Sequence, residues 1–572
     1  MRNKGGRRKL HRTLGYFRQW DTAPSFRQAS SLRLLAFLLC CVMLAAASDS
    51  ADDLKRKTYK PPRVLFNWDG NDAMRQLEWP ATPGKLVRTV LEEYAGSDID
   101  TFLWSPGDGM SIFYHNTKIG MFYGDHLQET TANGWMGAEN GRLLRQHGDE
   151  INILSKGAAR LGVKFYISLR MNEQHDRISP MFWTPFKANH PQWMIGKYDP
   201  NNPDWNDWSA NTGMNYAIPE FRDYRLRLIR EFAENYDFDG FQLDFMSEPP
   251  FFRKGEEEAG STAMTELVRS VRKIMDEAGQ RRSHYIALSV QVPETLKDCK
   301  ANGLDVERWS REHLIDEIVA GRGYFEAFPL VELIEMAHHY GVRVYANNNR
   351  NDPIEVSRAW AQLHWQTGVD GLLLFNHYKE GRFPFLNEIG RPERLARLSK
   401  TYKVGRKAKD PAVYLHNLDR LMGSYPGGQV PIEVDTNRPI QIHIDCYDDI
   451  DAAVAEGTIN RIGIQLLFKT RAKGREDMFE FLTASLTPED TFKITVNGAA
   501  VPDDSLKPLR PLTLSGVDAP YKLNTIYGLE WTQPIPTIRK GSNNIQIELV
   551  QRNPHIKNTL VLDGAQLQLE YR

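Results

Sequence analysis

The sequence predicts an α/β protein: a (β/α)8 TIM barrel followed by an antiparallel β-sandwich. Three observations carry this. Between Val64 and Thr401 a short apolar strand followed by an amphipathic helix recurs eight times. No glycine fingerprint for a dinucleotide opens any of these helices, which disfavours the alternative, a doubly wound open sheet. From about Pro411 helical periodicity gives way to alternating runs such as QIHID, FKITVNG, NNIQIELV and LDGAQLQLEY. Turn signals at Asn497-Gly498 and Lys540-Gly541-Ser542 divide them.

Taken in order, the chain begins with a basic stretch (Arg2, Lys4, Arg7, Arg8, Lys9, Arg12) and then an apolar run from Leu32 to Ser48. With Ala45-Ala46-Ala47 at its end, this has the form of a secretory signal peptide over 1–47, followed by a charged spacer over 48–61. The expectation is export to the periplasm or outside the cell, with no stable membrane insertion after cleavage. An uncleaved anchor, or a lipoprotein through Cys40 or Cys41, is the weaker alternative. Only Cys299 and Cys446 lie beyond this segment, too few for a disulfide framework or a cysteine-based zinc site.

The eight expected strands are Val64–Trp68, Thr101–Trp104, Lys164–Leu169, Phe238–Phe245, Tyr285–Val292, Glu317–Ala320, Arg343–Ala346 and Gly371–Phe375. The helices between and after them are expected at Lys85–Tyr94, Gly141–Leu161, Glu220–Asn235, Thr262–Ala278, Val306–Ile315, Leu330–Tyr340, Pro353–Thr367 and Arg391–Thr401. Gly96, Gly162, Gly341 and Gly368 stand where helices should stop, because glycine reaches the left-handed conformation of a C-cap without strain. The barrel is thus placed at 62–401, a linker at 402–411 and the sandwich at 412–572. The longest insertion, Met171 to Pro219, carries Trp183, Trp193, Trp205 and Trp208. Loops of this length are usually functional, and rings can stack on ligands.

A formal net charge of -1 excludes the basic excess of a nucleic-acid binder. Function is therefore sought at the C-terminal ends of the barrel strands, where such barrels carry their working residues. Strand one ends in Asp69, strand two in Trp104, strand three in Arg170 and Asn172 with Glu173 beyond. Strand four ends in Asp244, with Glu248 in the loop after it; strand five offers Gln291 and then Glu294. Arg322, Tyr324 and Glu326 follow strand six, Asn347 to Arg350 close strand seven, and Asn376 and His377 close strand eight. Carboxylates, amides, arginines and rings on one rim describe a polyol site, and the chemistry that fits is glycosidic bond cleavage. That reaction needs one ionised carboxylate and one kept protonated by its surroundings. Asp244 is the candidate for the ionised partner; Glu294 and Glu248 compete for the acid, with Glu326 third.

The stretch NHPQWMIGKYDP, then GMNYAIPEFRDYRLRLIREFAENYDFDGFQLDF, resembles bacterial proteins of the glycosyl hydrolase-like 10 family. More distantly, the strand-four pattern is similar to retaining barrels of the α-amylase and α-galactosidase type, which implies a nucleophile at Asp244. Phe245 stands where the related sequences often carry a second Asp, and this moves the acid elsewhere in the rim. An Asn-Glu pair occurs only after strand three, as Asn172-Glu173, and strand seven ends in asparagines, so the mechanism of the other large barrel clan is rejected. The C-terminal region loosely resembles galactose-binding-like accessory domains, which either bind carbohydrate or buttress the barrel.

The expected partner is a carbohydrate substrate, with no nucleic acid. No cofactor is expected and no metal-ligand spacing stands out; structural calcium on loop carboxylates and the oligomeric state stay open. Two alternatives remain: a non-catalytic carbohydrate-binding or scaffold barrel, and a polysaccharide lyase acting through Arg322, Tyr324 and His377.

Overall fold

The computed structural model describes residues 51–125, 132–177, 182–199, 201, 208–323, 330–350, 352–378, 383–407, 428–471, 486–509, 526–532 and 537–572. The expected signal peptide, Trp205, Tyr324 and Glu326 lie outside the described residues, as does the side chain of Trp208. Among the described residues no helix is long and apolar enough to cross a membrane. The chain divides into two compact units, 1–57 and Thr58–Arg572; in the first, residues 51–57 are helical.

Eight parallel strands close the barrel: β1 (Val64–Asp69), β2 (Thr101–Ser105), β3 (Lys164–Arg170), β4 (Gly240–Asp244), β5 (Ala287–Val292), β6 (Glu317–Ala320), β7 (Arg343–Asn348) and β8 (Gly371–Phe375). Each pairs with its neighbours in sequence, and β1 pairs with β8. Period two then sorts the side chains. Phe66, Trp68, Phe102, Trp104, Ile167, Leu169, Phe241 and Leu243 face the surrounding helices in one large apolar core. Leu65, Leu103, Tyr166, Ala287, Val319, Tyr345 and Leu373 fill the barrel interior.

Several elements differ from expectation. Strand four is shorter, Gly240–Asp244; Phe238 and Phe245 flank it, with their rings in the outer core. The helix expected over Gly141–Leu161 is two, α1 (Ala132–Arg145) and α2 (Asp149–Leu161), broken at Gly148, whose φ of 101° no helix accommodates. The expected Arg391–Thr401 helix is only one turn, Pro392–Leu395. Lys400 opens a strand instead, β9 (Lys400–Lys403), so the start of the expected linker is already sheet. The expected glycine stops hold: Gly96, Gly162, Gly341 and Gly368 all have positive φ.

The C-terminal region builds two antiparallel sheets. In one, β9 lies beside the long C-terminal strand Thr559–Tyr571, which pairs in turn with Ile459–Arg471. In the other, Gly541–Gln551 is flanked by Ile440–Cys446 and Thr491–Val496. Inward residues of both sheets, such as Ile464, Leu466 and Leu567 with Ile442, Ile494 and Ile547, form one core, so the sheets are a sandwich. Ala359, from the barrel helix Ile354–Thr367, belongs to that core as well.

Polar knots hold both ends of this assembly. At the junction the buried Lys400 ammonium donates to Asp448 Oδ1 (2.8 Å) and to the Leu398 carbonyl (3.0 Å). Asp448 also accepts from the hydroxyls of Tyr402 and Tyr571 (2.5 and 3.0 Å). At the N-terminal end of the barrel, Glu317 is fully buried and accepts from the hydroxyls of Tyr59 (2.8 Å) and Tyr166 (3.0 Å). Burial outweighs these bonds and pushes its carboxyl up to about 7.

Two outcomes follow. Asp448→Ala leaves the Lys400 charge buried without its counterion and should cost about 3–5 kcal/mol in urea unfolding. Glu317 binds its proton more tightly folded than unfolded, so its contribution is present below about pH 4.5 and is lost as pH rises toward about 7. Glu317→Gln should therefore flatten the pH dependence of unfolding in that window, by up to about 3 kcal/mol; an unchanged slope would refute the assignment.

Candidate active site

The inward-facing residues at the C-terminal strand ends are polar, and most are already tied to one another. Asp69 ends β1 and pairs with Arg170 at the end of β3 (2.5 Å). Its carboxylate also caps the following helix by accepting from the Asn71 N–H (3.0 Å). Burial opposes the charge on Arg170, but Asp69 and Glu173 outweigh it and hold the guanidinium protonated. Asn376 accepts from the Asp69 N–H (3.3 Å), and Tyr378, stacked on Trp68 with centroids 3.8 Å apart, lies beside it. His377 is buried, its Nε2 3.1 Å from the Asn348 carbonyl.

Asp244 ends β4 with no exposed surface. Its carboxylate turns back onto its own loop, accepting from the N–H groups of Met246 (2.8 Å) and Ser247 (3.0 Å) and from the Ser247 hydroxyl (2.5 Å). Burial raises its pKa, against the Ser247 hydroxyl and the Arg170 charge. This compact turn sets the course of the chain into Glu248, which adopts a left-handed φ of 55°. Such a conformation is uncommon for a glutamate and places its side chain among cations. Glu248 Oε1 lies 3.3 Å from Arg322 and 3.8 Å from His175 Nε2. Its Oε2 is buried with no hydrogen-bond partner among the described residues.

Glu294 follows β5 and has different surroundings. Its carboxyl packs against Gly321, where a Cβ would lie 2.0 Å from Oε1. Burial pushes it up to about 7, against a bond from its own backbone N–H. Its Oε2 also has no partner among the described residues. Gly321 thus does what its φ of 81° and lack of side chain allow: it admits Glu294, and the next residue, Arg322, reaches Glu248. The two carboxyl groups therefore flank one dipeptide after β6. Gln291 and Asn347 both donate to the Gly321 carbonyl (2.9 and 3.0 Å) and fix this turn.

Two expected binding residues are placed elsewhere. Trp104 has outward parity on β2 and is buried in the core between strands and helices, so it cannot stack on a ligand at the rim. Asn172 spends its amide within the fold: Oδ1 accepts from Met214 N–H (2.8 Å), and Nδ2 donates to the carbonyls of Met214 (3.1 Å) and Pro250 (2.7 Å). It fastens the long insertion to the β4 loop. The insertion is anchored again by the buried Lys187, which donates to Asp176 (2.8 Å) and to the Glu173 carbonyl (2.6 Å). Trp183 is half-buried and stacks on Tyr198, centroids 3.9 Å apart.

Two acidic residues join the rim that strand-end reasoning left without a role. Asp108, in the PGDG turn after β2, accepts from the N–H groups of Met110, Ser111 and Ile112. Burial, with the Glu173 charge, pushes it up to about 6. Glu173 is buried and accepts from His175 Nδ1 (2.7 Å). Burial raises it, but the His175 charge, with Lys187 and Arg170, outweighs burial and holds it at about 2. The PGDG turn and the NEQHD run were the available signals; His175 carries none of its own. Among the described residues no group of three or more His, Cys, Asp or Glu could hold a metal ion.

No family model matches the chain, and no curated protein matches it. Among solved structures it is similar to the PgaB (BpsB) glycoside hydrolase domain from Bordetella bronchiseptica: 10% identity, 58% of this chain, 99% of that one, TM-score 0.39. It is also similar to the GH36 α-galactosidase AgaA from Geobacillus stearothermophilus, at 11% identity over 83% of this chain, TM-score 0.32. The α-galactosidase from Lactobacillus brevis matches at 11% identity over 87% of this chain, TM-score 0.32. The chain spans about half the length of these two, 55% and 56%.

Proposed function

We propose that the chain is an exported glycoside hydrolase acting on a poly- or oligosaccharide at the C-terminal rim of its barrel. One observation supports this above others: two buried carboxyls flank the Gly321–Arg322 turn in opposite electrostatic settings. Among the described residues no cation lies beside the Glu294 carboxyl, and it stays protonated up to about pH 7, as a general acid for the leaving oxygen must. Glu248 faces Arg322 and His175, the setting that suits the nucleophile or cation stabiliser. Each keeps one oxygen for a substrate hydroxyl, a water or the sugar carbon. Asp244 is the second reading for the ionised role, favoured by its place at the end of β4; all that its carboxylate is seen to hold is its own loop.

The signal-like N-terminus supports export, and the half-buried Trp183 and Tyr198 rings supply a surface on which a sugar could stack. Arg170 and Asn376, both engaged by Asp69, would line the same rim.

The test is release of sugar from a panel of polysaccharides and oligosaccharides, followed by reducing-end assay and proton NMR of the new anomer. Wild-type activity should fall as pH rises through about 7, as Glu294 loses its proton. Glu294→Gln should lower kcat by about 10²- to 10⁴-fold and abolish that fall. Glu248→Gln and Asp244→Asn separate the two readings of the ionised partner: the larger loss of kcat at unchanged fold names it. Binding of glycans without any cleavage by the wild type would replace this reading with that of a carbohydrate-binding barrel.

A further inference from the structure

His175 lies in none of the strands, in the insertion that follows β3, and the sequence alone assigns it no role. Its position is nonetheless specified from three sides. Nδ1 lies 2.7 Å from Glu173 Oε1, and the same oxygen accepts from the His175 backbone N–H (2.5 Å). Nε2 lies 3.8 Å from Glu248 Oε1. The Phe182 ring packs against the imidazole with centroids 5.5 Å apart. Glu173 itself is buried, and its loop is pinned through its carbonyl by Lys187. The imidazole thus stands between two carboxylates, with only about a third of its side chain (31%) exposed.

We propose that His175 is a positioning residue, held as an imidazolium by Glu173 so that, opposite Arg322, it fixes Glu248 Oε1. The proposal rests on the hydrolase reading for its purpose, not for its geometry. With Oε1 held by two cations, Oε2 is the oxygen left to act, and the carboxylate has one orientation instead of several. The charges facing the ring are Glu173 and Glu248, which favour the proton, and Arg170, which disfavours it. Burial lowers the imidazole pKa, but the two glutamates outweigh it and place it at about 9. The ring nitrogens bear this out in kind: a neutral imidazole would present a lone pair from one nitrogen to one of its two carboxylates.

The titration of His175 in the full chain, followed by NMR of its ring Cε1–H, tests this without any substrate. The wild-type imidazole should titrate well above the ordinary 6.5, toward about 9. Glu173→Gln, which keeps shape and removes charge, should lower it by about one pH unit or more, and Glu248→Gln by a smaller step. A wild-type value near 6.5, or no response to either substitution in a chain with unchanged melting temperature, overturns the proposal. On whichever glycan the wild type cleaves, His175→Gln should lower kcat about tenfold or more with little change in KM. A drop in KM-linked binding alone would overturn the positioning role. If no glycan is cleaved, the hydrolase reading fails while the titration still decides whether the Glu173–His175–Glu248 array exists.

Discussion

Closing eight parallel strands into a barrel decides which side chain of each strand faces inward, and a slip of one residue would turn all of them outward. The register Asp69 beside Ser105, Arg170 beside Asp244, and Asp244 beside Gln291 carries this constraint around the rim. Asp69 and Ser105 share one register row, and Arg170, Asp244 and Gln291 share another that lies two residues further along β3, so the inward polar side chains near the rim are a consequence of pairing. Lower in the barrel the same parity delivers Ser168, Gln242 and Ser289 as a hydrogen-bonded row (2.7 and 3.4 Å), and below them the tyrosines around Glu317. Polar side chains thus stand at several heights among the apolar ones of the interior, and Asn67, Ser168, Gln242, Ser289, Gln291 and Glu317 each make at least one hydrogen bond there.

Acid groups are crowded at this rim, and like charges in a buried space destabilise one another. The fold sorts them by pairing. Asp69 takes Arg170, Glu173 takes His175, and Glu248 takes Arg322 and shares His175. Asp244 is satisfied by the N–H groups and hydroxyl of its own turn. Glu294 is left with no cation among the described residues, and burial drives it toward its neutral form. A protonated carboxyl beside paired carboxylates is what acid-assisted bond cleavage asks of a protein. The arrangement follows from how many cations the loops supply.

The periodicity of the sequence made the strands, their order and the rim positions Asp69, Arg170, Asp244, Gln291, Glu294 and Asn347 legible, since period two and the barrel's polarity are local rules. Trp104 was misplaced because a residue at a strand end can face either way, and only the pairing with β1 and β3 shows that it faces out. Asn172 reads as a rim amide until its partners, 42 and 78 residues away, are known. His175 was invisible for the same reason: its meaning comes from Glu248, which lies in another loop. Side chains defined by one element can be read from sequence; those defined by a meeting of two loops cannot.

The C-terminal sandwich is joined to the barrel in a way that bears on its role. A flexible linker would leave the two free to move, but β9 begins at Lys400, only five residues after the last barrel helical turn ends at Leu395. The Lys400 ammonium bonds the carbonyls of Leu395 and Leu398 on the barrel side and Asp448 on the sandwich side. Tyr571, next to the last residue of the chain, bonds both Asp448 and Ser399. Buried charge is tolerated only where every donor finds an acceptor, so this junction holds its geometry or loses several kcal/mol. Helix Ile354–Thr367 ties the arrangement to the rim, because it packs Ala359 into the sandwich core and connects β7, which carries Asn347, to β8. The sandwich is therefore packed directly on the helix that joins β7 to β8, and not hung from a free tether.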